Sequence, residues 1–213
     1  MKNAWKLFSY GETPIYLKYW FLALFLFIPI NWVISLFISI VVHEISHART
    51  AKKLGYKTDY IFIDILHGGA MIDGSYTKNN KHSISIAFSG PLSNLILSLL
   101  GFLIAVVAGI GFNISDDSLF ILFIANFISI NLLLFVMNLI PIYPLDGGRI
   151  SKSIFSMLFG KEKGQLVNGV ISFILSSLVL IYSIYQINFV LIIISFVFLV
   201  ASYFEIKPRK DVE

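Results

Sequence analysis

The chain has 213 residues, of which 57% are hydrophobic and 13% charged, and its mean hydropathy is +0.84. Soluble domains carry about 25% charged residues, whereas residues 19–42 and 190–203 hold no charged side chain, so lipid is the expected solvent for most of this chain. Cys is absent, which excludes disulfides, thiolate metal sites, cysteine nucleophiles and lipid anchors on Cys, and the net charge of +4 is read as membrane topology signalling rather than nucleic-acid binding.

In chain order, the start resembles a secretory signal peptide only weakly. Its apolar stretch is too long and lacks a small-residue cleavage site, so it is expected to be retained. Residues 15–54 would make one helix of roughly 60 Å, twice the hydrocarbon thickness. Pro29-Ile30-Asn31 splits them into a helical hairpin. Residues 83–109 and 119–140 are single spans, and Gln186-Ile187-Asn188 divides the last apolar region into two. The expectation is an all-α membrane protein forming one domain over residues 1–213, with six transmembrane helices at about 15–30, 31–54, 83–109, 119–140, 167–186 and 189–204. Between spans two and three, Tyr60-Ile61-Phe62-Ile63 and Ala70-Met71-Ile72 flank His67-Gly68-Gly69, which reads as a small cytoplasmic-side β hairpin.

Charge placement supports six spans independently. All 16 basic residues, from Lys2, Lys6 and Lys18 through Arg49, Lys52 and Lys53 to Lys207, Arg209 and Lys210, then fall on one side, and only Asp116 and Asp117 on the other. The positive-inside rule makes that side, with both termini, cytoplasmic in a multi-pass cell-membrane protein.

The second span contains His43-Glu44-Ile45-Ser46-His47. Two imidazoles one helical turn apart share a face, with a carboxylate beside them, in the H-E-x-x-H zinc pattern. Counted back from Lys52, His43 lies roughly 13 Å inside the membrane boundary. Each ionisable group at the bilayer centre costs about 2.5–3.5 kcal/mol, so three within five residues call for partners or a task. A purely structural pair of histidines hydrogen-bonding across the bundle is the competing reading.

A catalytic zinc normally has three protein ligands and one open position. His82 and Glu205 lie at interfaces, Glu162 sits between Lys161 and Lys163, and Asp116 and Asp117 are on the far side. Asp146 follows the fourth span within Asn138-Leu139-Ile140-Pro141-Ile142-Tyr143-Pro144-Leu145-Asp146-Gly147-Gly148. Prolines stop a regular helix there and glycines admit close backbone approach, as a ligand on an unwound segment requires. Linear counting puts Asp146 shallower than the histidines, so a site including it needs that segment to fold back inward. The alternatives are an Asp cap on a helix at 150–158, or His67 as the rival third ligand, although its glycine neighbours favour an exposed turn.

Together these residues resemble the site-2 protease (M50) family of intramembrane zinc metalloproteases. His43-Glu44-x-x-His47 matches the family's helix motif, and Asn138-x-x-Pro141-x-x-Pro144-Leu145-Asp146-Gly147 its aspartate-bearing motif. Gly68-Gly69 looks like its glycine pair after the zinc helix, and Ser89-Gly90-Pro91-Leu92-Ser93-Asn94 like its Gly-Pro motif in the third span. The resemblance covers essentially the whole chain in order and spacing. With no PDZ insertion and no CBS domain in view, the layout is most similar to the branch that processes a sporulation pro-sigma factor. The resemblance implies Zn2+ as cofactor, His43, His47 and Asp146 as its ligands, Glu44 as general base, and substrate contact or gating for Asn138, Gly68 and Gly69. It further implies cleavage of a transmembrane or membrane-tethered regulatory protein in or near the bilayer, with a separate regulatory membrane protein as a further partner. The alternative from a different class is a non-proteolytic membrane protein that binds or transports zinc. Transporters usually carry paired repeats, and this sequence has none.

Overall fold

The computed structural model describes residues 3–64, 68–109 and 119–206, and the chain divides into two compact units. The first comprises Met1–Tyr76 and Ser89–Val136, the second Thr77–Phe88 and Met137–Glu213.

The first unit is built on one crossover. Strands β1 (Ala4–Tyr10), β2 (Thr13–Lys18), β3 (Thr58–Ile63) and β4 (Gly68–Ile72) form one sheet in the order β1-β2-β3-β4. The β1/β2 and β3/β4 pairs are antiparallel, but β2 and β3 run parallel, with Ile15 opposite Ile61 and Leu17 opposite Ile63. A parallel pair needs a long crossover, and helix α1 (Ile30–Lys53) supplies it. Ile15, Leu17, Ile61 and Ile63 point one way from the pleat and join Phe21, Val33, Ile40, Val41 and Ala48 in a single apolar core. On α1 the buried positions 33, 40, 41, 44, 47, 48 and 51 follow the helical repeat, so the face that packs on the sheet also carries Glu44 and His47. The helix ends at Leu54, followed by Gly55 in the left-handed region at φ +86°, where glycine is favoured.

The expected first span is corrected here. Residues 15–18 belong to β2, and Tyr19–Leu26 is a 3-10 helix of 8 residues, about 16 Å long at that rise, too short to cross about 30 Å of hydrocarbon. The backbone groups of Ile15–Lys18 pair with neighbouring strands instead of within a helix. Among the described residues, five helices are long and apolar enough to cross a membrane: Ile30–Lys53, Asn80–Val107, Leu119–Leu139, Lys161–Tyr185 and Phe189–Ile206. At the end of β2, Lys18 Nζ bonds Asp64 Oδ2, just past β3, at 2.7 Å. The expected hairpin exists, but as half of a four-stranded sheet. Gly68 and Gly69 lie within β4 rather than in the turn. His67, Asp116 and Asp117 lie outside the described residues.

Helix α2 (Asn80–Val107) contains Pro91, and its part from Ser89 onward belongs to the first unit together with most of α3 (Leu119–Leu139). Gly101 lets the two approach closely, since a Cβ there would stand 2.9 Å from Ile128. Nearby, Ser98 Oγ donates to Ile128 O.

In the second unit, α4 (Asp146–Phe159) leads through Gly160, at φ +82°, into α5 (Lys161–Tyr185), and α6 (Phe189–Ile206) returns along it. Ser172, Ser176, Ser183, Ser195 and Ser202 are all buried along α5 and α6. Small side chains of this kind let helices pack closely where lipid supplies no hydrophobic drive. Glu205, buried near the end of α6, receives Lys152 Nζ at 2.5 Å, and Gln165 Nε2 donates to its backbone carbonyl.

Candidate metal centre

The packing stripe of α1 brings His43, Glu44 and His47 inside, all 7% exposed or less. The two imidazoles stand nearly perpendicular, at 83°, with ring centroids 4.7 Å apart and their Nε2 atoms 3.1 Å apart. Two nitrogens bound to one tetrahedral zinc at about 2.0–2.1 Å are separated by roughly 3.3 Å, so the pair needs little adjustment to share an ion. Gly90 keeps the space beside them open. A Cβ at that position would lie 2.6 Å from His43 Nε2, 2.5 Å from His47 Cε1, and closer still to His47 Nε2. The residues therefore fit a zinc ion held by two neutral imidazoles.

The faces of the rings away from the shared nitrogens are also occupied. His43 Nδ1 lies 2.6 Å from Asn94 Oδ1, and His47 Nδ1 lies 3.5 Å from Ser89 Oγ. Asn94 in turn reaches Asn131 on α3. Both asparagines are fully buried. The sequence alone attaches no task to Ser89–Asn94 or to Asn131. The available signal was an amide in the middle of an apolar span, where it is costly without a partner.

Gly68 is pressed against the general-base candidate, for a Cβ there would stand 2.7 Å from both Cγ and Oε1 of Glu44 and 2.8 Å from Ile40. Gly69 is constrained differently, by the Phe62 ring at 2.6 Å. Within the second unit, Asp146 is buried at the first residue of α4, whose N-cap position is Leu145 and carries no side-chain cap bond. Asp146 thus stands in the first turn of α4 rather than at its N-cap position. The chain between α3 and α4 is unwound and folded tightly on itself. Ile142 N donates to Ile140 O and Leu145 N to Ile142 O, while side chains at Gly147 and Gly148 would collide with the carbonyls of Leu139 and Ile142. Ser172 fixes this segment, accepting from Tyr143 N and donating to Pro141 O. Arg149 Nη1 lies 3.8 Å from Asp146 Oδ1. Asn138 sits half-buried on the last turn of α3.

Paired, buried imidazoles with a neighbouring glutamate on a helix long and apolar enough to span a membrane make a candidate metal centre. The model of Peptidase family M50 matches residues 31–116 and 108–182, and the chain belongs to that family. It is 33% identical over 162 residues to a zinc metalloprotease of Methanocaldococcus jannaschii, MJ0392, covering 76% of this chain and 45% of that protein. With Stage IV sporulation protein FB of Bacillus subtilis it shares 27% identity over 135 residues, 63% of this chain and 44% of the relative. The solved structure of a site-2 protease from Methanocaldococcus jannaschii superposes with a TM-score of 0.70 at 27% identity, covering 99% of this chain and 98% of that one. The chain spans less than half the length of these two curated relatives.

Proposed function

We propose that the chain is an intramembrane zinc endopeptidase that cuts a membrane-embedded or membrane-tethered regulatory protein within or near the bilayer. The observation that carries this reading is the pair of buried imidazoles on α1, Nε2 to Nε2 3.1 Å, in a helix long and apolar enough to span. His43 and His47 are two of the zinc ligands and Asp146 is the third, on the strength of its burial directly after an unwound segment and of the three-ligand requirement of a catalytic zinc. Bound zinc supplies a Lewis acid for the scissile carbonyl and makes water a nucleophile near neutral pH. Glu44 takes the proton from the attacking water on a carboxylate oxygen and returns it to the leaving amine.

A helical substrate hides its carbonyls in internal hydrogen bonds, so the scissile stretch has to be extended. Strand β4 is an edge of the sheet and Gly68 on it adjoins Glu44. We assign to Gly68 and Gly69 the task of receiving the substrate backbone along that edge, and to Asn138 a hydrogen bond to substrate. The placement of the basic residues supports reading both termini and the mouth of the site as cytoplasmic.

The test is purification of wild type and Glu44→Gln with incubation against a fluorogenic transmembrane peptide carrying a helix-breaking residue. Glu44→Gln is expected to retain stoichiometric zinc and to lose at least about 1,000-fold in cleavage, within the range a general base contributes. Cleavage by Glu44→Gln at the wild-type rate removes Glu44 from the mechanism. Zinc flux into sealed vesicles without any peptide cutting replaces the protease with a transporter.

A further inference from the structure

A neutral imidazole binds a metal through whichever nitrogen lacks a proton, and which one that is depends on the partner of the other nitrogen. For His43 that partner is Asn94 Oδ1 at 2.6 Å. An amide offers an oxygen on one side and an NH2 on the other, so an unrestrained Asn94 could turn over and demand the opposite tautomer.

The surroundings forbid the turn. Asn94 Nδ2 gives its two hydrogens to Ser39 O at 3.3 Å and to Asn131 Oδ1 at 2.9 Å. Ser39 O is a backbone carbonyl and can only accept. Asn131 is polarised in the same way, because its own Nδ2 donates to the backbone carbonyl of Phe127 at 2.8 Å. Two main-chain carbonyls, one on α1 and one on α3, therefore set the direction of the whole chain of amides. The only arrangement in which every buried donor meets an acceptor turns Asn94 Oδ1 toward His43, puts the proton on His43 Nδ1, and leaves the Nε2 lone pair facing His47 and the open space beside Gly90. In a low-dielectric interior a reversed amide would face carbonyl with oxygen and leave donors unpaired, a cost that water is not there to relieve.

We propose that Asn94, held in one orientation by Asn131, is a positioning residue that fixes His43 in the tautomer able to bind metal through Nε2. This inference rests on the reading of His43 and His47 as zinc ligands, and goes beyond it by assigning a task to the Gly90–Asn94 turn of α2 and to Asn131 of α3.

The experiment uses the full chain in detergent, with zinc itself as the probe. Zinc affinity is measured by chelator competition, and the His43 tautomer in metal-free protein by long-range 15N–1H correlation on 15N-histidine-labelled samples, assigned with His43→Ala among only 4 histidines. Wild type is expected to hold His43 as the Nδ1–H form. Asn94→Leu loses that preference and binds zinc about 10–100-fold more weakly, the span typical of a lost ligand-orienting partner. Asn94→Asp restores the Nδ1–H form, since a carboxylate presents an oxygen to His43 whichever way it turns, and binds zinc more tightly than Asn94→Leu but less tightly than wild type, because it gives up the two bonds that Asn94 Nδ2 donates. Asn131→Leu weakens zinc binding about 10-fold beside Asn94 and less than about 3-fold beside Asp at position 94, because a carboxylate has no orientation left to set. An equal loss from Asn131→Leu in both backgrounds marks Asn131 as packing alone and overturns the proposal. So does a mixed or Nε2–H tautomer of His43 in wild type. Wild type that takes up no zinc, or His43→Ala that takes it up unchanged, instead overturns the underlying assignment of the metal site.

Discussion

Both units bury polar side chains among apolar helices, and they use them differently. In the first, the buried groups converge: His43, His47, Asn94 and Asn131 form one connected chain ending on backbone carbonyls. In the second, the buried serines of α5 and α6 are scattered: Ser183 and Ser195 turn back on their own helix onto Leu180 O and Leu191 O, Ser172 and Ser202 bond the backbone at residues 141–143, and Ser176 Oγ has no hydrogen-bond partner. In a medium that cannot hydrogen-bond, polarity alone does not mark function. Convergence of partnered groups on a pair of imidazoles is the feature that distinguishes the first unit, whereas scattered hydroxyls on packed helices are the ordinary means of close approach in a membrane.

That contrast can be broken by mutation. The largest effect belongs to His47→Ala, which is expected to abolish stoichiometric zinc and all peptide cutting; metal analysis of purified protein that still finds one zinc per chain would contradict the first half of the comparison. Gly90→Val comes next. Its side chain fills the space beside both Nε2 atoms, so zinc affinity should fall by at least about 10-fold, the size of effect seen when groups around a metal ligand are disturbed, while the metal-free protein still elutes as a folded species. In the second unit, Lys152→Met leaves Glu205, with its side chain 8% exposed, without its cation. Breaking a fully buried pair costs about 3–5 kcal/mol. Lys152 is 34% exposed, so about 2 kcal/mol is expected, read as a lower denaturation midpoint with unchanged zinc content in the folded fraction. The smallest effect is assigned to Ser176→Ala. Removing a hydroxyl that makes no bond should leave stability within about 0.5 kcal/mol or raise it slightly, and a large loss there would mean that the serines of this unit are more than packing.

The motif on α1 and the apolar lengths of α2, α3, α5 and α6 were legible because each is a local signal: spacing of His43 and His47 on one face, and runs of residues that only lipid or a helix core will accept. The N-terminal stretch was misread for the complementary reason. Residues 15–26 are as apolar as a span, and nothing local distinguishes Ile15 and Leu17 in a strand from the same residues in a helix. Their backbone partners, Ile61 and Ile63, lie more than forty positions away. Gly68 and Gly69 were placed correctly in the hairpin but in its turn rather than on its edge strand, since register depends on what the strand packs against.

What the sequence determined by itself was chemistry: two imidazoles and a carboxylate on one helix face, an aspartate in a Pro/Gly segment that cannot continue a helix, and a solvent of lipid. Tertiary structure decided geometry and direction. Only the packing of α2 and α3 beside α1 lines up the carbonyls of Ser39 and Phe127 so that two asparagines point one way and His43 follows. Hydrogen-bond polarity passed between helices is a property of three-dimensional neighbours, and no pattern along one strand of residues encodes it.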